Sequence, residues 1–145
     1  MKVLKDTILL SIGAIGSAIA SLFGGWDAAL TTLVIFMAAD YATGLIVAGV
    51  FNKSKKSKNG ALDSHIGWKG LCKKGITLLI VLIAYRLDLL LGSSYIKDLV
   101  IISFICNELI SIIENASLMG IPIPAVITKA IDLLQKESKE NNGED

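Results

Sequence analysis

Asp40, Arg86 and Glu108 each stand deep inside a long apolar run. A charge at membrane depth is costly unless it faces protein or water, so such residues mark ion pairing or an aqueous path. Their depths follow from the helical rise. Asp40 lies 14 residues past Trp26, about 21 Å from that end of its run. Arg86 lies 12 residues past Lys74, about 18 Å, and Glu108 lies 13 past Tyr95, about 20 Å. All three fall in the middle third of a bilayer, which places Arg86 to pair with Asp40 or Glu108. Asp88 and Glu114 fall nearer the two surfaces, where a long side chain reaches the headgroups cheaply. Ser103, Asn107, Ser111 and Asn115 recur at every fourth position and so share a helix face, flanked by Glu108 and Glu114. Such a face either makes hydrogen bonds between helices of one bundle or meets water when subunits assemble.

The rest of the chain offers little chemistry. His65 is the one histidine, and it sits in a basic stretch where solvation accounts for it. Cys72 and Cys106 lie in separate apolar segments with no metal-ligand spacing, so neither a disulfide nor a zinc site is expected. No glycine-rich phosphate loop is present. We therefore expect no catalytic residue, no cofactor and no metal. Of 145 residues, 53% are hydrophobic and 19% charged, and the mean hydropathy is +0.65. Soluble domains carry about a quarter charged residues, so this composition points to lipid as solvent. The net charge is +1, and the lysine run Lys53 to Lys58 lacks interleaved aromatics, which argues against nucleic acid as a partner.

These residues require spanning helices to position them. The apolar runs predict an all-α, multi-pass membrane protein with three to four transmembrane helices, at about 7–23, 28–51, 72–91 and 95–119. Together they make a membrane domain over 1–121. The first run is short for a span. Lys2 and Lys5 before it and Ala18-Ile19-Ala20 near its end also resemble a signal peptide, whose removal would leave three spans. Against cleavage, Gly13, Ser17 and Ser21 recur at every fourth position, the small-residue pattern of closely packed helices. Gly44, one turn beyond Asp40, offers the same close approach in the second run. The basic stretch 52–71 and the lysines of the tail sit opposite two lysine-free connections, Gly24 to Asp27 and Gly92 to Ser94. Lysines mark the cytoplasmic side, so the central loop and both termini are expected there. Pro122 and Pro124 end the fourth run. Residues 122–135 then read as an amphipathic helix against the membrane or a neighbour, and 136–145 as a disordered charged tail.

Three local patterns carry a resemblance. Ser64, Gly67, Gly70 and Lys74 stand in Ser-His-Ile-Gly-Trp-Lys-Gly-Leu-Cys-Lys-Lys, just before a span. Asp40 followed by Gly44 lies in the span before it. Glu108 to Asn115, followed by Gly120-Ile121-Pro122-Ile123-Pro124, closes the last span. Between Asp40 and Leu134 the chain resembles the bacteriophage holin family, which also contains the toxin-secretion holins of clostridia. The loop 52–63 is longer and richer in lysine than that pattern, and the first run lies outside it. The resemblance implies a protein without catalytic residues that oligomerises with itself in the bacterial cytoplasmic membrane and opens lesions. Those lesions release an endolysin or a toxin, without necessary contact, and dissipate the membrane potential. Two other classes stay open: a small ion channel or transporter subunit using Asp40, Arg86 and Glu108 as a relay, and a non-lytic regulator such as an antiholin.

Overall fold

The computed structural model describes residues 1–142, and for 138, 141 and 142 the backbone alone. Five helices follow one another: α1 Lys2–Leu22, α2 Ala28–Gly49, α3 Ser64–Leu91, α4 Ile96–Leu118 and α5 Ala125–Asn142. No strand occurs among the described residues. Helices α1 and α2 are long and apolar enough to cross a membrane, fewer than the three to four expected from the runs. Lys74, Arg86 and Asp88 interrupt the apolar length of α3, and Glu108 and Glu114 that of α4.

The helix boundaries have local causes. The Asp27 carboxylate accepts the Leu30 N–H at 2.8 Å and caps the start of α2. The Asp63 carboxylate accepts the N–H groups of His65 and Ile66 at 2.8 and 3.2 Å, so α3 begins at Ser64 rather than near 72. Gly92 ends α3 in the left-handed region. Gly120, at φ 79°, ends α4 ahead of Pro122 and Pro124. The expected disordered tail is helical through Asn142. Lys and Glu are good helix formers, and Lys136 and Glu140 pair one turn apart at 3.8 Å, which carries the helix past 135. Residues 143–145 of that expectation lie outside the described residues.

Helices α2, α3 and α4 form the bundle, and α5 packs on α4. Contacts between Asp27 and Lys97 at one end and Thr43 and Asn115 at the other set α2 and α4 parallel. Helix α3 runs back between their ends. The core is Leu30, Leu33 and Met37 of α2, Val81 of α3, and Ile101 and Ile105 of α4, with Phe23, Phe36, Leu78 and Phe104 around it. It fills the half of the bundle near Trp26, with buried polar residues at both ends: Asp88 and Lys97 beside that half, Asp40 and Asn115 beyond it. Helix α1 has no substantial packing on any other helix. A Cβ built on Gly13 would meet no atom of another helix within 4 Å, and Ser17 and Ser21 are exposed. The small-residue face of α1 therefore does not pack closely against another helix of the chain.

Candidate functional site

The polar end beyond the core centres on Lys74. Its ammonium donates to Asp40 Oδ2 of α2 at 2.8 Å and to Glu108 Oε2 of α4 at 2.6 Å. One cation from α3 thus joins the two neighbouring helices. The three side chains are 14%, 10% and 13% exposed, too little for solvent to screen the pairs as it screens surface ones. Two carboxylates share one ammonium, so each raises the electrostatic cost of the other and both depend on Lys74. Ser111 of α4 stands beside the Asp40 carboxylate.

Asn115 closes this network from α4. It is buried, and its Nδ2 donates to Thr43 Oγ1 at 2.9 Å and to Asp40 Oδ1 at 3.3 Å. A Cβ on Gly44 would stand 3.8 Å from the same nitrogen, an ordinary van der Waals contact, so the approach of α4 here does not require a glycine. On α3, a Cβ on Gly67 would stand 3.5 Å from the Tyr41 hydroxyl and one on Gly70 3.8 Å from its ring, so both glycines face Tyr41 at ordinary contact distance. The polar line on α4 does not act as one face. Steps of four residues advance a helix by about 400°, so the line drifts about 40° per step. Asn115 and Ser111 therefore meet α2, whereas Asn107 is exposed and Ser103 returns its hydroxyl to the Leu99 carbonyl at 2.9 Å. Glu114 is exposed as well.

Next to the network lies a cavity of about 300 Å³, between α2, α3, α4 and the connection 50–63. That connection is folded. Lys53 N–H donates to Val47 O, and Ser54 N–H to Gly60 O at 3.0 Å. Gly60 is at φ 73°, and a side chain there would collide with the Asn52 carbonyl. Ser64 itself is exposed on the first turn of α3, beside the Asp63 cap.

The opposite end is held by a second set of charges. The Asp88 carboxylate of α3 is buried and accepts Ser93 Oγ, Ile96 N–H and Lys97 N–H at 2.6, 3.0 and 2.8 Å, which caps α4. Lys97 Nζ donates to Asp27 Oδ2 at 2.7 Å and to the Phe23 carbonyl at 3.0 Å. It also stands 5.4 Å from the centre of the Tyr85 ring. Partial burial works to raise the Asp27 carboxyl, but the Lys97 ammonium and the Leu30 N–H outweigh it and hold it below the ordinary aspartate range. Gly24, at φ 79°, lies against Tyr85 with no room for a side chain.

Several sequence expectations change here. The cation facing Asp40 and Glu108 is Lys74, not Arg86. Lys74 stands ten residues inside α3 and level with both carboxylates, so Arg86, about 18 Å further along, is out of their reach. Arg86 is exposed and forms no ion pair among the described residues. Asp88 caps a neighbouring helix instead of reaching for headgroups. Thr43, Tyr41 and Lys97 were not singled out by the sequence. For Lys74 a signal existed: it closes the Ser64, Gly67, Gly70, Lys74 pattern just before the span.

The sequence pattern of the bacteriophage holin family matches residues 17–136. An uncharacterised protein of Clostridium perfringens is 38% identical over 133 residues, 90% of this chain and 93% of that protein. One from Listeria innocua is 38% identical over 134 residues, 90% of each chain. A probable holin of Bacillus phage phi105 is more distant, 26% identical over 117 residues, covering 80% of this chain and 81% of its own. No solved structure matches the chain.

Proposed function

The chain belongs to the bacteriophage holin family, and from that membership we propose that it is a holin: it oligomerises in the bacterial cytoplasmic membrane and opens lesions there. The lesions pass an endolysin or a toxin and dissipate the membrane potential, so the cell lyses. Family membership is the observation that carries this reading. The probable holin of Bacillus phage phi105, related over most of its length, supports it.

The geometry suits a membrane protein that must hold polar groups until it assembles. The Lys74 network keeps two carboxylates and one amide inside a single bundle. Small rearrangements of α2 against α4 would turn those groups to water, which a lesion wall requires. The reading includes four spans, α1 to α4, with the lysine-bearing connection and both termini in the cytoplasm. Asp40, Glu108, Ser111, Asn115 and Lys74 act as pairing groups, and no residue performs a catalytic step.

Induced expression in a bacterial host tests it through the growth curve. The expected result is a period of undisturbed growth, then an abrupt stop with loss of membrane potential. A graded decline from the moment of induction marks a channel or transporter subunit. Undisturbed growth with the protein accumulating in the membrane marks a regulator of the antiholin kind. Either outcome overturns the proposal.

A further inference from the structure

The 300 Å³ cavity has free charge at its mouth and committed charge at its floor. Four carboxylates line it. Asp40 and Glu108 are taken by Lys74, Asp63 caps α3, and Glu114 remains. Lys55, Lys56 and Lys73 also line it, are exposed, and form no ion pair among the described residues. Three ammoniums thus stand against one uncommitted carboxylate. Ser57 faces the same space, and its Oγ is buried without a hydrogen-bond partner. A buried hydroxyl left unpaired costs free energy that a ligand oxygen would recover. One wall is apolar, with Leu62, Ile66 and Leu118. The volume is about ten times the ~30 Å³ share of one water in the liquid, so it admits a headgroup rather than a lone solvent molecule.

We propose that this cavity binds the phosphate of an anionic glycerophospholipid, with Lys55, Lys56 and Lys73 around the phosphate oxygens and Ser57 donating its hydroxyl. The apolar wall takes the first carbons of the acyl chains. A free phosphate offers the same anionic oxygens but nothing for that wall, so the lipid is the better match. The assignment rests on the reading above that this end of the bundle lies at a membrane surface. It differs from general attraction between lysines and an anionic leaflet, because the connection bearing Lys55 and Lys56 is folded by the Ser54–Gly60 hydrogen bond and the Asn52–Gly60 fit.

The test uses the full-length chain in a neutral detergent, titrated with short-chain phosphatidylglycerol, short-chain phosphatidylcholine or inorganic phosphate. Bound lipid is counted by native mass spectrometry, and the thermal midpoint is followed alongside. Phosphatidylglycerol is expected to bind saturably with one lipid per chain and to raise the midpoint, while the other two do not at equal concentration. K55Q/K56Q/K73Q should weaken binding about tenfold or more. K53Q/K58Q/K69Q removes the same charge outside the cavity and should cost no more than about twofold. Ser57→Ala, a small change that keeps every lysine, should also weaken binding. Equal losses in the two lysine variants, or an unchanged affinity in Ser57→Ala, overturn the cavity assignment. Saturation by inorganic phosphate at the same concentration overturns the lipid assignment. The growth curve is recorded for the same variants. Lost phosphatidylglycerol binding in the wild-type chain with abrupt lysis intact removes this inference alone, and binding without lysis removes the holin reading alone.

Discussion

Lys74 holds carboxylates from two other helices, so its loss leaves two anions side by side in a poorly solvated interior. Removing one partner of a buried ion pair costs about 3–5 kcal/mol, mostly as the penalty for the charge left behind. Lys74→Met should therefore lower the thermal midpoint sharply, measured by circular dichroism in detergent. Adding Asp40→Asn and Glu108→Gln should recover most of the loss, because no unpaired charge then remains. Arg86→Gln, exposed and unpaired, should stay within about 0.5 kcal/mol of wild type. Both carboxylates are legible from their place in apolar runs, but their cation is not, since the run places Arg86 rather than Lys74 at membrane depth. Lys74 looked like the edge of a span because the apolar run starts after it. Nothing in that run showed that Asp63 would start the helix ten residues earlier. At the other end, Asp27 is a carboxylate held below its ordinary value in the folded chain. Its contribution to stability is present above the unfolded-state value, about 3.9, and is lost as pH falls through the lower folded value. The midpoint of wild type should thus fall more steeply than that of Asp27→Asn as pH drops below about 4. Parallel curves would show that the Asp27–Lys97 pair does not contribute.

At the scale of elements, the chain combines a bundle fastened at both ends with a first helix held only at its C-terminal end, where Ala20 is buried and Phe23 meets the core. Helices α2 and α4 could be read from the length of their apolar runs. The start of α3 and the length of α5 could not, since one depends on a side-chain cap and the other on polar residues with good helix propensity. The small residues of α1 were expected to pack closely, and within the chain they do not. Gly13→Leu with Ser17→Leu should therefore leave the thermal midpoint of dispersed single chains unchanged. If that face instead meets a second copy, the same variant should reduce crosslinking between copies in membranes, while Ile12→Leu with Ile19→Leu should not. Gly60→Ala forms the opposite case. Its positive φ and the Asn52 carbonyl leave no room, so it should lower the midpoint by about 1–3 kcal/mol equivalent and loosen the connection 50–63. Equal sensitivity of Gly13 and Gly60 to substitution would contradict this division between α1 and the rest.

Taken whole, the molecule shows a large apolar exterior. Leu9, Ile15, Ile35, Leu79, Ile83 and Leu90 are all exposed, on three different helices. Exposed apolar residues in that number belong against lipid or another chain. Its orientation is testable with single cysteines in a background of Cys72→Ser and Cys106→Ala. Lys58→Cys and Glu140→Cys should react with an impermeant thiol reagent only after cells are opened, whereas Ser94→Cys should react in intact cells. Labelling of Lys58→Cys from outside would reverse the topology. The patterns that carry the family resemblance between Asp40 and Leu134 fall at helix ends, Ser64 and Gly120, and where α2, α3 and α4 meet, at Asp40, Lys74 and Glu108. The cavity could not be foreseen, because it arises from the fold of the connection over three helices. The central claim is that assembled copies open a path wide enough for protein. Its most direct measurement is the escape of a murein hydrolase, made in the cytoplasm without an export signal, from cells in which this chain is induced. The account predicts that the hydrolase stays inside through a delay, then reaches the wall in a single abrupt event, cell by cell, only when the chain is present. Collapse of the membrane potential with the hydrolase still retained inside would contradict it.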